Sequence, residues 1–153
     1  DLTISDVAVR SSTPGTVEVY FTCEGGELPS DALIQKVSDH LRDNHIRPLT
    51  DNVIVQAPVT QEYNVAFTYY ISSSKKSAVS TIQAAVNTAV SLYNTWQTEK
   101  IGRDINPDYL LQKIMEAGAK RAVITSPSFT VLNSNTLAKL GTITATYGGV
   151  EDD

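Results

Sequence analysis

The sequence predicts an α+β protein, and two observations support this class. Some stretches alternate apolar and polar residues, which is typical of half-buried strands, and others repeat apolar residues every three or four positions, which is typical of helices. Their order is β-α-β-β-α(α)-β, followed by further short strands. This order matches the split-βαβ, ferredoxin-like arrangement. We therefore predict a mostly antiparallel sheet with two main helices on one face, an extra short helix and additional C-terminal strands.

Two strands are predicted near the N-terminus. Val7 and Val9 alternate with polar neighbours and indicate a short edge strand. Residues 16–22 indicate a half-buried strand, which Gly25-Gly26 ends. Its predicted buried face carries Val17, Val19 and Phe21, and its predicted polar face carries Glu18, Tyr20 and Thr22.

A helix and a hairpin are predicted next. The helix begins at Pro29 or Ser30 and ends near residue 44, and residues 45–52 form a loop. Residues 53–57 and 62–71 are strands that we expect to pair as a hairpin. The predicted buried residues are Leu33, Ile34, Val37 and Leu41 in the helix, and Tyr63, Val65, Phe67, Tyr69 and Ile71 in the second strand.

A long helix is predicted over residues 78–99. Residues 77–98 carry no charge, but Ser, Thr, Asn and Gln make up about half of them, whereas a membrane span is nearly continuously apolar. We therefore predict one buried face and no membrane insertion. The buried residues are Val79, Ile82, Val86, Ala89, Val90, Tyr93 and Trp96.

The turn after this helix is a specific local feature. Asn106 before Pro107 marks a new helix start, because proline needs no amide donor at the first helical position and asparagine caps it. Arg103 can form two hydrogen bonds with a carboxylate, and Asp104 can accept from helix-start amides. Gly118 fits the left-handed position after the helix. The predicted apolar stripe of this helix is Leu110, Leu111, Ile114 and Met115.

Trp96 and Tyr109 stand on either side of this turn, and two interpretations remain open. The rings either pack on each other and hold the turn, or they face a partner protein, where Trp, Tyr and Arg are enriched.

Short strands complete the predicted fold. Residues 120–125 form a strand that ends before Pro127, and residues 142–147 form the last one. We expect Gly148-Gly149 to end the ordered structure and residues 150–153 to be a frayed acidic tail.

Length and composition limit the function classes. The chain has 153 residues and a net charge of −5, so it lacks the excess of Lys and Arg that nucleic-acid binding requires. We treat residues 1–153 as a single α+β region; if it divides into two small βαβ units, the boundary is expected near residues 60–75. Cys23 is the single cysteine, which suits a reducing compartment. Asp1 comes first and no methionine precedes Met115, so we expect a piece of a longer protein.

The sequence contains no convincing catalytic, cofactor or metal motif. His40 and His45 are five residues apart, which does not place two ligands on one helix face. Ser72–Lys75 and Ser73–Lys76 fit S-x-x-K, but the companion Ser-Asp-Asn and Lys-Thr-Gly elements are missing, so a capping loop is favoured. We predict no catalytic residue, no metal, no cofactor and no enzyme activity.

Six segments in a fixed order carry a family resemblance. They are residues 14–23 (PGTVEVYFTC), 29–34 (PSDALI), 47–55 (RPLTDNVIV), 102–107 (GRDINP), 117–118 (AG) and 147–152 (YGGVED). Together they resemble the C-terminal part of baseplate J-like proteins, the tail baseplate assembly proteins of contractile-tailed phages and related injection particles. The resemblance covers nearly the whole chain, and its specificity comes from the combination.

The resemblance implies a C-terminal fragment of a structural virion component, and it gives no catalytic residues to carry over to this chain. Family members form part of the baseplate wedge, repeat around the tail axis, and contact other wedge and tail-tip proteins. The implied location is the virion tail baseplate, and the host cytoplasm during assembly. Our candidate structural or partner-contact residues are Trp96, Arg103, Asp104, Asn106, Pro107, Tyr109, Tyr147, Gly148 and Gly149.

Two other functions remain as alternatives. Ferredoxin-like sheets often serve as small-molecule-binding regulatory domains, which predicts a closed apolar pocket with converging polar groups. An enzyme would instead need an ordered cleft that holds an acid or nucleophile with a shifted pKa.

Overall fold

The computed structural model describes residues 3–42 and 52–152, which form two three-stranded sheets and three α-helices. The α+β class is confirmed. The elements are β1 (Ile4–Arg10), β2 (Thr16–Cys23), α1 (Asp31–Leu41), β3 (Asn52–Gln56), β4 (Val59–Ser72), α2 (Val79–Thr98), α3 (Pro107–Glu116), β5 (Arg121–Ser126) and β6 (Thr136–Glu151). Outside the described residues lie the predicted helix end at 43–44, the loop at 45–51 with His45 and the RPLTD motif, and Asp153.

Both sheets mix parallel and antiparallel pairs. In the first, β2 lies between antiparallel β1 and parallel β3. In the second, β4 lies between antiparallel β5 and parallel β6. The ferredoxin-like arrangement in one antiparallel sheet is therefore not confirmed.

The predicted hairpin between residues 53–57 and 62–71 is wrong, because its two strands enter different sheets. Helix α1 crosses between β2 and β3, which lets β3 run parallel to β2. β4 begins two residues after β3, beyond Ala57 and Pro58, and pairs with strands that come much later in the chain. Short sequence separation suggested a hairpin, but each strand has other partners.

Helix α1 covers one face of the first sheet. Its start is capped by Ser30, whose Oγ accepts a hydrogen bond from the Leu33 amide at 3.3 Å. The predicted stripe of α1 packs against Val19, Phe21, Val53 and Val55. The predicted polar face of β2 is wrong at Tyr20 and Thr22, which are buried. Gln56 donates to Tyr20 Oη at 2.8 Å, so that buried hydroxyl has a partner.

The main core lies between the second sheet and helices α2 and α3. It contains the predicted buried face of β4 and most of the predicted stripe of α2. Leu110 and Ile114 of α3 are fully buried, whereas Leu111 and Met115 remain 36% and 39% exposed. The predicted four-residue stripe of α3 is therefore too wide, because this short helix contacts the core along only one narrow line.

The last strand is much longer than predicted. β6 pairs with β4 from Thr136 to Glu151, so Gly148-Gly149 does not end the ordered structure and Val150-Glu151 is not frayed. A side chain at Gly148 would collide with the ring of Tyr70, so the glycine lets the two strands pack closely. The guanidinium of Arg121 binds the carboxylate of Glu151, with Nε 2.9 Å from Oε2, and this holds the end of β6.

Candidate functional site

The side chain of Trp96 forms the centre of the turn between α2 and α3. The Arg103 guanidinium carbon lies 4.2 Å from the centroid of the Trp96 ring, and the centroid of the Tyr109 ring lies 4.1 Å from it. Arg103 also donates to the carbonyl of Trp96, and its Nη1 is 3.9 Å from a carboxylate oxygen of Glu99. Because the Arg103 side chain is only 18% exposed, its charge rests mainly against the indole.

Gln97 connects the two sides of this turn, although the sequence analysis did not single it out. Its Nε2 donates to the carbonyls of Arg103 and Asp104 at 3.3 and 3.1 Å, and its Oε1 accepts from the Asn106 amide at 3.2 Å. The side chain is fully buried, so these bonds replace those with water. Its position four residues after Tyr93, on the continuation of the buried stripe, was the signal in the sequence.

Asn106 and Pro107 start α3 as expected from their types. The Asn106 Oδ1 accepts from the Asp108 amide at 2.9 Å, and Pro107 is the first helical residue. Asp104 differs from the prediction, because its Oδ1 accepts from the amide of Leu132 at 2.8 Å and not from a helix-start amide. The carboxylate therefore fastens the turn to the segment that precedes β6.

Two backbone amides tie this turn to the rest of the molecule. Gly102, at a φ of 75°, donates from its N–H to the carbonyl of Thr136, the first residue of β6, at 2.7 Å. A side chain there would meet the backbone of Ser134. The amide of Ile101 donates to Asp6 Oδ2 at 2.8 Å, and Asp6 belongs to β1 of the first sheet. The turn thus contacts both sheets.

The remaining candidates lie on β6 and form a second group. The Tyr147 ring packs against the main core, with its centroid 5.7 Å from that of Tyr69. Gly148 lies against Tyr70, and Gly149 has a φ of 108°, which favours glycine. The structure therefore places Trp96, Arg103, Asp104, Asn106, Pro107 and Tyr109 together in the turn, and Tyr147, Gly148 and Gly149 on the last strand.

A cleft of about 650 Å³ lies where residues 24–28 approach the end of α2 and the start of β6. Its charged lining consists of Glu24, Glu27, Glu99 and Lys139. In the described parts of the chain, no three His, Cys, Asp or Glu residues are grouped to hold a metal ion. Burial raises the pKa of the Tyr63 and Tyr93 phenols, because the phenolate form would lose its hydration in the core.

Two family models match the chain in succession. The Baseplate J-like central domain matches residues 3–57, and the Baseplate J-like protein C-terminal domain matches residues 63–146. The chain belongs to the baseplate J-like family. The resemblance inferred from the motifs is thereby confirmed. The central-domain match contains β1, β2, α1 and β3, and the C-terminal match contains α2, α3 and most of the second sheet of this baseplate J-like chain.

A phage protein shows the same similarity. Baseplate protein J of Escherichia phage P2 is 26% identical over 151 residues, which is 98% of this chain and 49% of the phage protein. The baseplate J-like chain therefore spans about half the length of this relative. None of the helices within residues 3–42 and 52–152 is long and apolar enough to cross a bilayer.

Proposed function

We propose that this chain is a structural part of a contractile-tail baseplate wedge and acts in baseplate assembly through protein contacts. Its membership of the baseplate J-like family carries this proposal. Further support comes from the similarity to Baseplate protein J of phage P2 over nearly the whole chain. On this proposal the protein catalyses no reaction. Several copies surround the tail axis and contact other wedge and tail-tip proteins, after assembly in the host cytoplasm.

We also propose that the chain folds as two small units that meet at Ala57-Pro58. Each unit has its own sheet and its own apolar cluster, and the two family matches are separated at the same place. β4 runs without interruption from Val59 to Ser72, so this junction lies before the expected interval of 60–75.

The turn around Trp96 is proposed to orient α3 for a partner. The side chains of Arg103, Gln97 and Asp104 each form a hydrogen bond with the backbone here, and these bonds fix the direction in which α3 leaves the turn. The exposed face of α3 carries Leu111 and Met115, apolar side chains that a neighbouring wedge protein could cover. The family membership makes such a neighbour the expected partner.

The location is tested by labelling purified particles with antibodies against this chain. We expect label at the baseplate end of the tail, because the proposal makes the chain a component of that structure. A particle preparation labelled with antibody preabsorbed on the purified chain is the matched control. Label on the tail tube or sheath, or none on baseplates that an antibody to another wedge protein does label, would contradict the proposal.

The regulatory-domain alternative is separated by thermal unfolding. A ligand that binds only the folded chain raises its melting temperature in a saturable way. We expect no such rise with a panel of metabolites, whereas the regulatory-domain alternative requires one. The two family matches give the regulatory-domain alternative no support.

A further inference from the structure

The cleft beside the end of α2 lies between the two proposed units of the chain. Ser5 and residues 24–28 line it from the first unit, and α2, β4 and the start of β6 line it from the second. A segment that filled its volume of about 650 Å³ would therefore contact both units. Concave sites where two folded units meet are a common place for ligands to bind.

The lining of this cleft is apolar at its base and acidic at its exposed rim. Leu137 and Ala138 line the base and are almost fully buried, whereas Leu28 is 40% exposed. The charged lining groups are three carboxylates and one ammonium group, which gives a net charge of −2. Such a lining repels anions and nucleic acid, whereas a cation on an apolar stem matches both the base and the rim.

The carboxylates from the first unit are carried by a fixed turn. Cys23 and Glu27 form an antiparallel bridge, and the Cys23 amide donates to the Glu27 carbonyl at 2.8 Å. This bridge closes the turn that contains Glu24 and Glu27. Within the residues that the structure describes, neither of these two carboxylates forms an ion pair. Their charges are therefore open to a cation from another chain.

The opposite wall belongs to α2 and adds both an acceptor and a donor. Glu99 lies 3.9 Å from Arg103, but its side chain is 61% exposed, so its carboxylate remains accessible. The Asn94 Oδ1 accepts from the Tyr63 hydroxyl at 3.0 Å, which leaves the Asn94 NH2 group to donate to a carbonyl of an occupant. This wall can therefore bind both a cation and the backbone beside it.

We propose that this cleft binds an extended segment of a neighbouring protein that carries an arginine. The aliphatic stem of the arginine packs on the apolar base, and its planar guanidinium forms paired hydrogen bonds with carboxylates of the rim. Because the segment contacts both units, it also restricts their relative motion. The inference rests on the proposed function only in assigning this neighbour to the baseplate.

A short peptide tests the binding on the purified chain. The probe is acetyl-Ala-Leu-Arg-Leu-Arg-Ala-amide, and the control peptide has citrulline in place of both arginines, which keeps the shape and removes the charge. In NMR spectra of the labelled chain, we expect saturable shifts of the Gly25, Gly26 and Lys139 amides, with a Kd below about 1 mM. The citrulline peptide should bind about tenfold more weakly, because it loses the charge-assisted hydrogen bonds.

Two kinds of substitution locate the binding. Glu24→Gln combined with Glu27→Gln should weaken binding about tenfold, whereas Asp108→Asn removes an exposed carboxylate outside the cleft and should leave binding unchanged. Thr95→Phe fills the cleft from α2 without a change in charge and should abolish binding. Thr88→Phe is its matched control, because both threonines are exposed on α2 and donate to a carbonyl of the preceding turn.

Three results would each overturn the inference. The first is the absence of a saturable shift with the arginine peptide up to about 5 mM. The second is equal binding of the arginine and citrulline peptides. The third is binding that Thr95→Phe leaves unchanged while the melting temperature shows this variant to be folded. Peptide binding by a chain that antibodies place outside the baseplate would contradict the proposed function alone, whereas baseplate labelling without peptide binding would overturn this inference alone.

Discussion

At the scale of single residues, the turn between α2 and α3 depends on polar side chains that satisfy the backbone. Arg103 covers the Trp96 ring and caps its carbonyl, and Gln97 bonds three backbone groups from a fully buried position. A carbonyl in a tight turn has no regular secondary-structure partner, so a buried one needs a side chain. A few side chains therefore hold the conformation of this turn, and the number of residues in the turn does not.

Arg103→Ala should lower the free energy of unfolding by about 1–2 kcal/mol, because it removes a cation–π contact and a hydrogen bond from a charged donor. Urea unfolding measures the change. Lys100→Ala is the matched control, since Lys100 is an exposed cation close by. The prediction is wrong if Arg103→Ala and Lys100→Ala unfold at the same urea concentration. Incorporation into baseplates at the wild-type level would then also show that the turn is not a partner contact.

Gln97→Leu should have a larger effect, about 2–4 kcal/mol. The substitution introduces an apolar side chain of similar size and leaves two carbonyls and one amide of the turn without their partner. Gln112→Leu provides the comparison, because Gln112 is exposed and its side chain donates to Glu116 on the same helix. The melting temperatures of the two variants, measured by thermal unfolding, test this prediction. Equal melting temperatures would show that water replaces the hydrogen bonds of the Gln97 amide.

At the scale of elements, the end of β6 is fastened across the whole second sheet. Arg121 on β5 lies with its guanidinium carbon 3.7 Å from the centroid of the Tyr70 ring on β4, and it binds Glu151 on β6. This contact lowers the pKa of Glu151, chiefly through the hydrogen bond from Arg121. Arg121 thereby connects β4, β5 and β6 at one position along their length, on the open face of the sheet.

The contribution of this contact should depend on pH. Since the pKa of Glu151 is lower in the folded chain, the stabilisation is complete above the ordinary glutamate pKa of 4.5 and is lost as the pH falls through the lowered value. Melting temperatures of the wild type and Glu151→Gln should therefore differ at neutral pH and converge in acid. Glu62→Gln, at another position in this sheet, is the matched control for the loss of a carboxylate. A difference that persists at low pH would exclude the ion pair as its cause.

At the scale of the whole molecule, the two sheets meet through the turn and through the close packing of Gly26 on Thr98. The Ile101 amide donates to Asp6 across this junction, and a side chain at Gly26 would collide with the carbonyl of Thr98. The two apolar clusters remain separate, so these few contacts set the relation between the sheets. Small interfaces of this kind permit relative motion when a contact is removed.

Asp6→Ala should loosen the junction more than it destabilises either sheet. The Ile101 amide loses its acceptor, and the chain near Ala57-Pro58 should become more sensitive to proteases. Limited proteolysis followed by mass spectrometry locates the cleavage. Ser12→Ala is a suitable control, because Ser12 is exposed and its hydroxyl donates to Glu18 within the first sheet. Equal cleavage rates for the two variants would show that the hydrogen bond does not hold the sheets together.

The helix and strand types, the caps at Ser30 and Asn106, and the buried faces of β4 and α2 follow from the sequence alone. Each depends on the periodic placement of apolar residues or on a side chain beside the amide that it caps, and these relations are local. Short sequence motifs also indicated the family.

Which strands pair, and which polar residues are buried, was decided only in the tertiary structure. Residues 53–57 and 62–71 look like a hairpin because they are adjacent, but their partners are β2, β5 and β6, and strand propensity does not specify a partner. In the sequence, Gly148 suggests the end of the ordered structure, whereas in the fold this glycine lies against the ring of Tyr70 within β6. Local patterns determine secondary structure because they act within a few residues, whereas sheet order depends on the packing of residues far apart in the chain.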